Sequence, residues 1–196
     1  MKSYNLIFPG KNKIMRTFGY YFWCFFIYSF FGFLAETVFS FVRSGRTQKR
    51  KTMRLLPLCT VYGLGASAMI VCLKSFTFDP VIVFLGGIVV GSVAEYMFAY
   101  LFGRFFGVKF WDYAGVKGNF KGRISAVFSA VWGMLSLVLI YFLHPALDGV
   151  IRHIPDVFVW PAVSVLIIDT MLTVRMIRRV AETGEASEAC PVIKKL

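Results

Sequence analysis

Acidic residues are scarce in this chain. Asp and Glu number 10 against 22 Lys and Arg, and charged residues make up only 16% of the 196 positions, where a soluble domain holds roughly 25%. Histidine occurs twice, as His144 and His153. Cysteine occurs four times, as Cys24, Cys59, Cys72 and Cys190, without the spacing of a zinc site or a disulfide framework. There is no GxxxxGK[ST] phosphate loop and no HExxH, which excludes ATP hydrolysis by a P-loop and zincin-type hydrolysis. No Ser or Cys nucleophile pairs with either histidine. The sequence therefore predicts no catalytic residue, no metal site and no cofactor.

Apolar residues are abundant: 58% of the chain, with a mean hydropathy of +0.68. A helix needs about 20 mostly apolar residues to cross the hydrocarbon core. Five segments qualify: Thr17–Val42, Leu55–Leu73, Pro80–Gly103, Ile124–Leu143 and Val157–Val174. None alternates in polarity as a membrane β-strand does. The prediction is an all-α polytopic membrane protein. One transmembrane domain covers residues 17–179, between an N-terminal tail, 1–16, and a polar, disordered C-terminal tail, 180–196. The first apolar run is longer than a signal-peptide core and lacks a small-x-small cleavage site, so it reads as a span.

The net charge of +12 reads as an orientation signal, with no nucleic-acid partner. Six Lys/Arg lie in Arg43–Arg54, five in Arg104–Arg123 and five from Arg175 onward, whereas Thr77–Asp79 has none and His144–Asp156 only Arg152. With five spans the three basic segments share one side. The positive-inside rule makes that side the cytoplasm, so the expected product is a multi-pass protein of the bacterial inner (plasma) membrane with its N-terminus outside and C-terminus inside. Lys2, Lys11, Lys13 and Arg16 run against this assignment.

Two of the rare acids stand in the same frame. GFLAETVF (Gly32–Phe39) and GSVAEYMF (Gly91–Phe98) both read Gly-x-x-Ala-Glu-x-x-Phe. Each is followed by a basic loop and a span with an aromatic–Gly pair, Tyr62–Gly63 and Trp132–Gly133. The pattern predicts two parallel helix hairpins plus a fifth helix, a plan used by transporters. Residues four apart share a helix face. Gly87, Gly91, Glu95, Ala99 and Gly103 form one stripe, and Tyr28, Gly32, Glu36 and Ser40 another. Gly32, Gly63, Gly87, Gly91 and Gly133 are the expected packing positions, where small residues let helices approach closely. Asp169 adds a third carboxylate in a span, with Thr173 one turn on.

A carboxylate near the bilayer centre costs roughly 3 kcal/mol on insertion scales, so these acids are expected to be paired, protonated or facing water. Two readings follow. In one, they hold helices together, with Arg54, Arg104 or Arg123 as partners. In the other, Glu36, Glu95 and Asp169 form a substrate-binding or cation site open to the cytoplasm. There the loop FWDYAGVKGNFKGRIS (Phe110–Ser125) would fold back and place Asp112, Asn119 and Arg123 at its mouth. The plainer reading of this loop is an interfacial anchor, with Trp111 and Tyr113 at headgroup level. His144 reads as an interfacial residue where His144–Pro145 ends the fourth span.

Taken in order, FFIYSFFGFLAET, LPLCTVYGLGA, AEY, FWDY and NFKGRIS resemble a bacterial integral membrane family labelled "putative ABC-transporter permease", or type IV, over Phe22–Pro145. The matching positions are Glu36, Pro57, Cys59, Tyr62, Gly63, Glu95, Trp111, Asp112, Tyr113, Asn119, Gly122 and Arg123. Leu56 stands where a Gly is expected and Ser125 where a Cys is common. The resemblance implies a permease. The chain is small for a transporter, which implies a homodimer or a partner subunit such as an ATPase. Two other classes stay open. One is an intramembrane enzyme on a lipid or lipid-linked phosphate, with Arg123 holding phosphate and Glu36 or Glu95 as base. The other is a membrane scaffold or regulatory subunit.

Overall fold

Six helices in chain order account for nearly all regular structure in the computed structural model, which describes residues 9–44, 52–183 and 194–195. They are α1 (Pro9–Ser44), α2 (Thr60–Leu73), α3 (Pro80–Phe106), α4 (Ala126–Val138), α5 (His144–His153) and α6 (Val159–Thr183). The predicted N-terminal tail up to residue 8, most of the Arg43–Arg54 basic loop and most of the C-terminal tail lie outside the described residues.

Four helical stretches are long and apolar enough to cross a membrane: Lys13–Val42, Pro80–Phe106, Ala126–His153 and Asp156–Thr183. The fifth apolar helix, Thr60–Phe76, is shorter. Val38, Val71, Val89, Phe105, Phe142 and Met171 are all exposed. Apolar side chains directed outward along these helices fit a lipid environment, where a soluble protein would carry polar ones.

Three predicted boundaries move, two of them at a proline. The second helix begins at Thr60 and not at Leu55. Pro57 supplies no N–H and disfavours the helical region for Leu56, so residues 52–59 run as a non-helical strap. The fourth span does not end at His144–Pro145. It passes through a π-helical turn, Leu139–Leu143, into α5, and the His144 N–H bonds back to the Leu139 carbonyl. A wider turn ahead of Pro145 absorbs the proline's missing donor without breaking the helix. The fifth span continues to Thr183. Asp79 opens α3 by accepting from Val81 N–H at 2.8 Å, with Pro80 in the first turn, and Gly107 ends it at φ 62°.

Helices α1 and α2 form one close hairpin and α3 and α4 a second. In the first, a Cβ on Gly32 would overlap Tyr62, and one on Gly63 would overlap Ser29 Oγ and the Phe25 carbonyl oxygen. In the second, a Cβ on Gly91 would fall 2.5 Å from Trp132 Cγ, and one on Gly133 would fall 2.7 Å from the Phe84 ring and 2.9 Å from Ile88. Phe25, Ser29, Gly32 and Glu36 stand to Phe84, Ile88, Gly91 and Glu95 at one constant sequence offset, so both hairpins pack in the same register. Trp132 also lies against Gly65 of α2, 3.0 Å from where its Cβ would be, and joins the two hairpins. Ser136, fully buried, has one O–H within reach of two carbonyls, Gly133 at 2.7 Å and Val83 at 2.9 Å.

Candidate functional site

Glu36 and Glu95 each accept a hydrogen bond from the aromatic residue of the partner helix in their own hairpin. Tyr62 OH donates to Glu36 Oε1 at 2.8 Å, and Trp132 Nε1–H donates to Glu95 Oε2 at 3.0 Å. The Tyr62 and Trp132 rings contact each other, with centroids 5.2 Å apart. The contacts thus run carboxylate, phenol, indole, carboxylate across four helices. Glu95 is 6% exposed, and no Lys or Arg among the described residues forms an ion pair with it.

The loop after α3 closes on this cluster through Tyr113, so this residue is more than an interfacial anchor. Tyr113 OH donates to Glu95 Oε1 at 2.8 Å, and its ring stacks on Phe128 of α4 at 4.6 Å. Glu95 therefore has a donor on each oxygen, which offsets much of the cost of burying it. In the sequence only the FWDY motif marks Tyr113. Sequence spacing alone cannot show that a loop returns over a helix.

Asp112, Asn119 and Arg123 do other work in the loop. Asp112 is exposed. It pairs with Lys109 at 2.5 Å and accepts from Ala114 N–H at 3.0 Å. The Lys109 ammonium, followed by that N–H, holds its carboxyl below the usual carboxylate range. Asn119 ties the turn together by donating to the Val116 carbonyl at 2.8 Å and accepting from Gly122 N–H at 3.0 Å. Asn119–Phe120 (β2) pairs with Ile124–Ser125 (β3); Val108–Lys109 (β1) pairs with Lys194–Lys195 (β4). Gly118 and Gly122 take positive φ in this hairpin. Arg123 lies over the Tyr96 and Tyr100 rings, 5.4 and 5.2 Å from their centroids, and donates to Tyr96 OH at 3.1 Å. Ser125 starts α4 as its N-cap.

Asp169 is not brought to the two glutamates. It is 1% exposed, and its two oxygens accept the Leu55 and Leu56 N–H groups at 2.9 and 2.7 Å. Thr173 Oγ1, one turn on, accepts the Arg54 N–H at 2.9 Å. Asp169 thus binds the strap that precedes α2. Three carboxylates do not converge, and no group of three His, Cys, Asp or Glu able to hold a metal occurs among the described residues. His144 is buried, contrary to its reading as an interfacial residue. Tyr28 OH lies 2.8 Å from its Nδ1 and Tyr20 OH 3.2 Å from its Nε2. The π-helical turn carries it inside the bundle, and nothing in the sequence pattern signalled that.

Long apolar helices packed on small-residue stripes, with one buried and one half-buried carboxylate held by aromatic donors, define a multi-pass α-helical membrane protein. The chain belongs to the family described as "Putative ABC-transporter type IV", whose pattern matches residues 23–174. The matched stretch contains both glutamates, the strap, the Tyr113 loop and Asp169. No curated protein and no solved structure matches the chain.

Proposed function

We propose that this protein is the permease-type membrane component of a transporter, with one polar site built from Glu36 and Glu95 in the cytoplasmic half of the bundle. The observation that carries this reading is the shared aromatic pair. Each glutamate is bonded to one member of the Tyr62–Trp132 contact, so the carboxylates belong to one cluster. The equal register of the two hairpins supports their origin as two copies of one unit, related by an axis along the membrane normal. A pair of acids on such an axis is placed to bind a cationic or hydrogen-bond-donating group, with Tyr113 as the movable cover. The family favours a partner, either a second copy or an ATPase subunit.

In this reading all five apolar helices span, the strap and α2 together making the second crossing. The Arg43–Arg54 and Arg104–Arg123 loops face the cytoplasm. In a background with Cys72 and Cys190 replaced by serine, Lys117→Cys should resist a membrane-impermeant thiol reagent in intact cells, and Ser75→Cys should react. The reverse pattern would invert the orientation.

The shared site is tested by a cycle of Glu36→Gln, Glu95→Gln and the double variant, scored on thermal stability in detergent. The double variant should depart from the sum of the singles by well over the ~0.5 kcal/mol scatter of independent sites. Simple additivity would mean two separate helix fasteners and would favour a scaffold role.

A further inference from the structure

A second polar site lies at the end of the bundle opposite to the glutamates. The start of α1, the end of α2 and the end of α5 enclose a cleft of about 490 Å³. Lys13, Arg16, Lys74 and Arg152 line it, together with the phenols of Tyr20 and Tyr21. Lys13, Arg16 and Lys74 form no ion pair with any described residue. Asp148 is already engaged, accepting from Arg152 Nε at 2.8 Å and from Tyr20 OH at 2.5 Å. Those bonds hold the Arg152 guanidinium over the Tyr20 ring, 4.7 Å from its centroid. They occupy Nε and leave the two terminal nitrogens for an anion. Behind Tyr20, buried His144 and Tyr28 fix the wall from inside. The arginine is therefore positioned before any ligand arrives.

The level of the cleft says where such an anion comes from. Phe18 stacks on Trp160 with centroids 6.1 Å apart, and Phe18, Tyr21 and Trp160 are all exposed. Aromatic residues gather at the headgroup level. Ile14, between two of the cations in sequence, is 73% exposed and offers an apolar surface next to the charges. We infer that this cleft binds the phosphate of an anionic phospholipid headgroup, with its acyl chains along the outer face of α1. Basic pockets between spans take such headgroups, and arginine suits phosphate through paired N–H donors. With Arg152 already paired to Asp148, the other three cations round the cleft still repel each other, and a bound phosphate offsets that repulsion. The site also accounts for Lys13 and Arg16, which the charge-orientation rule leaves unexplained.

The test uses the full-length protein in dodecyl maltoside and follows its melting temperature. Dioleoylphosphatidylglycerol should raise it, whereas dioleoylphosphatidylcholine and inorganic phosphate at equal concentration should not. Arg16→Gln/Lys74→Gln should weaken the apparent affinity for the anionic lipid about thirtyfold, the effect of two basic side chains at a membrane surface. Arg104→Gln/Lys117→Gln, at the other end, should leave it unchanged. Equal stabilisation by the two lipids, or an unchanged affinity in the cleft variant, would overturn the proposal. Full stabilisation by inorganic phosphate would make this a soluble-anion site and overturn the lipid assignment. Should the cleft variant not fold, a photoactivatable phosphatidylglycerol on the unmodified protein gives the same decision. Cross-links within residues 13–21 or 70–74 support the cleft, and cross-links confined to other segments overturn it.

Discussion

Replacing Asp169 with alanine should destabilise the protein by about 3 to 5 kcal/mol, more than any other single acidic substitution in the chain. The carboxylate is buried and receives two backbone N–H groups, from Leu55 and Leu56. Hydrogen bonds to a charged group contribute about 1.5–3 kcal/mol each, and both vanish together. The reason for two such bonds at one side chain lies in the strap. The strap is non-helical, so its N–H groups have no intrahelical acceptors and need partners from elsewhere in the protein. Asp169 and Thr173, one turn apart on α6, supply three acceptors to three successive N–H groups. Asp169→Asn should lie between wild type and Asp169→Ala, because its amide keeps one acceptor and turns a donor toward the other N–H. Asp156→Ala, at an exposed position on the opposite side, should shift stability by less than ~0.5 kcal/mol. Thermal or denaturant unfolding in detergent checks the series. An Asp169→Ala protein that melts like wild type but loses activity would return Asp169 to the polar site and refute its role as the anchor of the strap.

Gly91→Leu should be strongly damaging to the second hairpin, costing about 3 kcal/mol or more. Overpacking a filled interior costs typically 1–3 kcal/mol, and here the first added atom already falls 2.5 Å from Trp132 Cγ and 2.6 Å from its Cβ. These are atoms at the base of the side chain, next to the backbone, so the helix itself has to move. Gly91→Ala should already be destabilising. Val89→Leu adds volume two residues away at a position 62% exposed and should be close to neutral. The damage should also reach the carboxylates, because Trp132 carries the indole N–H bonded to Glu95. Unfolding curves for the three variants, with tryptophan fluorescence as a reporter of Trp132, decide the matter. Equal stability of Gly91→Leu and Val89→Leu would show that α3 and α4 can part at this contact without loss, and the small-residue stripe would have no packing role.

The sequence by itself determined the class. Long apolar runs and a shortage of acids require a helical membrane protein, since only helices satisfy every backbone group within a single apolar segment. It also determined which glycines and acids were worth attention. Gly91 and Glu95 share a face by the helical period alone, and the repeated Gly-x-x-Ala-Glu-x-x-Phe frame is visible without coordinates. What a neighbouring helix or loop does with that face is a matter of long-range contact. Only the tertiary structure decided that Tyr62 and Trp132 are the donors to the glutamates, that Tyr113 comes back from its loop to Glu95, and that Arg123 lies over Tyr96 and Tyr100. It alone separated Asp169 from the glutamates. Three carboxylates in apolar runs look alike along the chain, but one faces an unwound strap and two face an aromatic pair. The strap and the π-helical turn followed the same logic. Pro57 and Pro145 both mark a break by local rules. A proline states only that one donor is missing, and the acceptors and packing around it decide whether the helix begins only beyond it, as at Pro57, or widens and continues, as before Pro145.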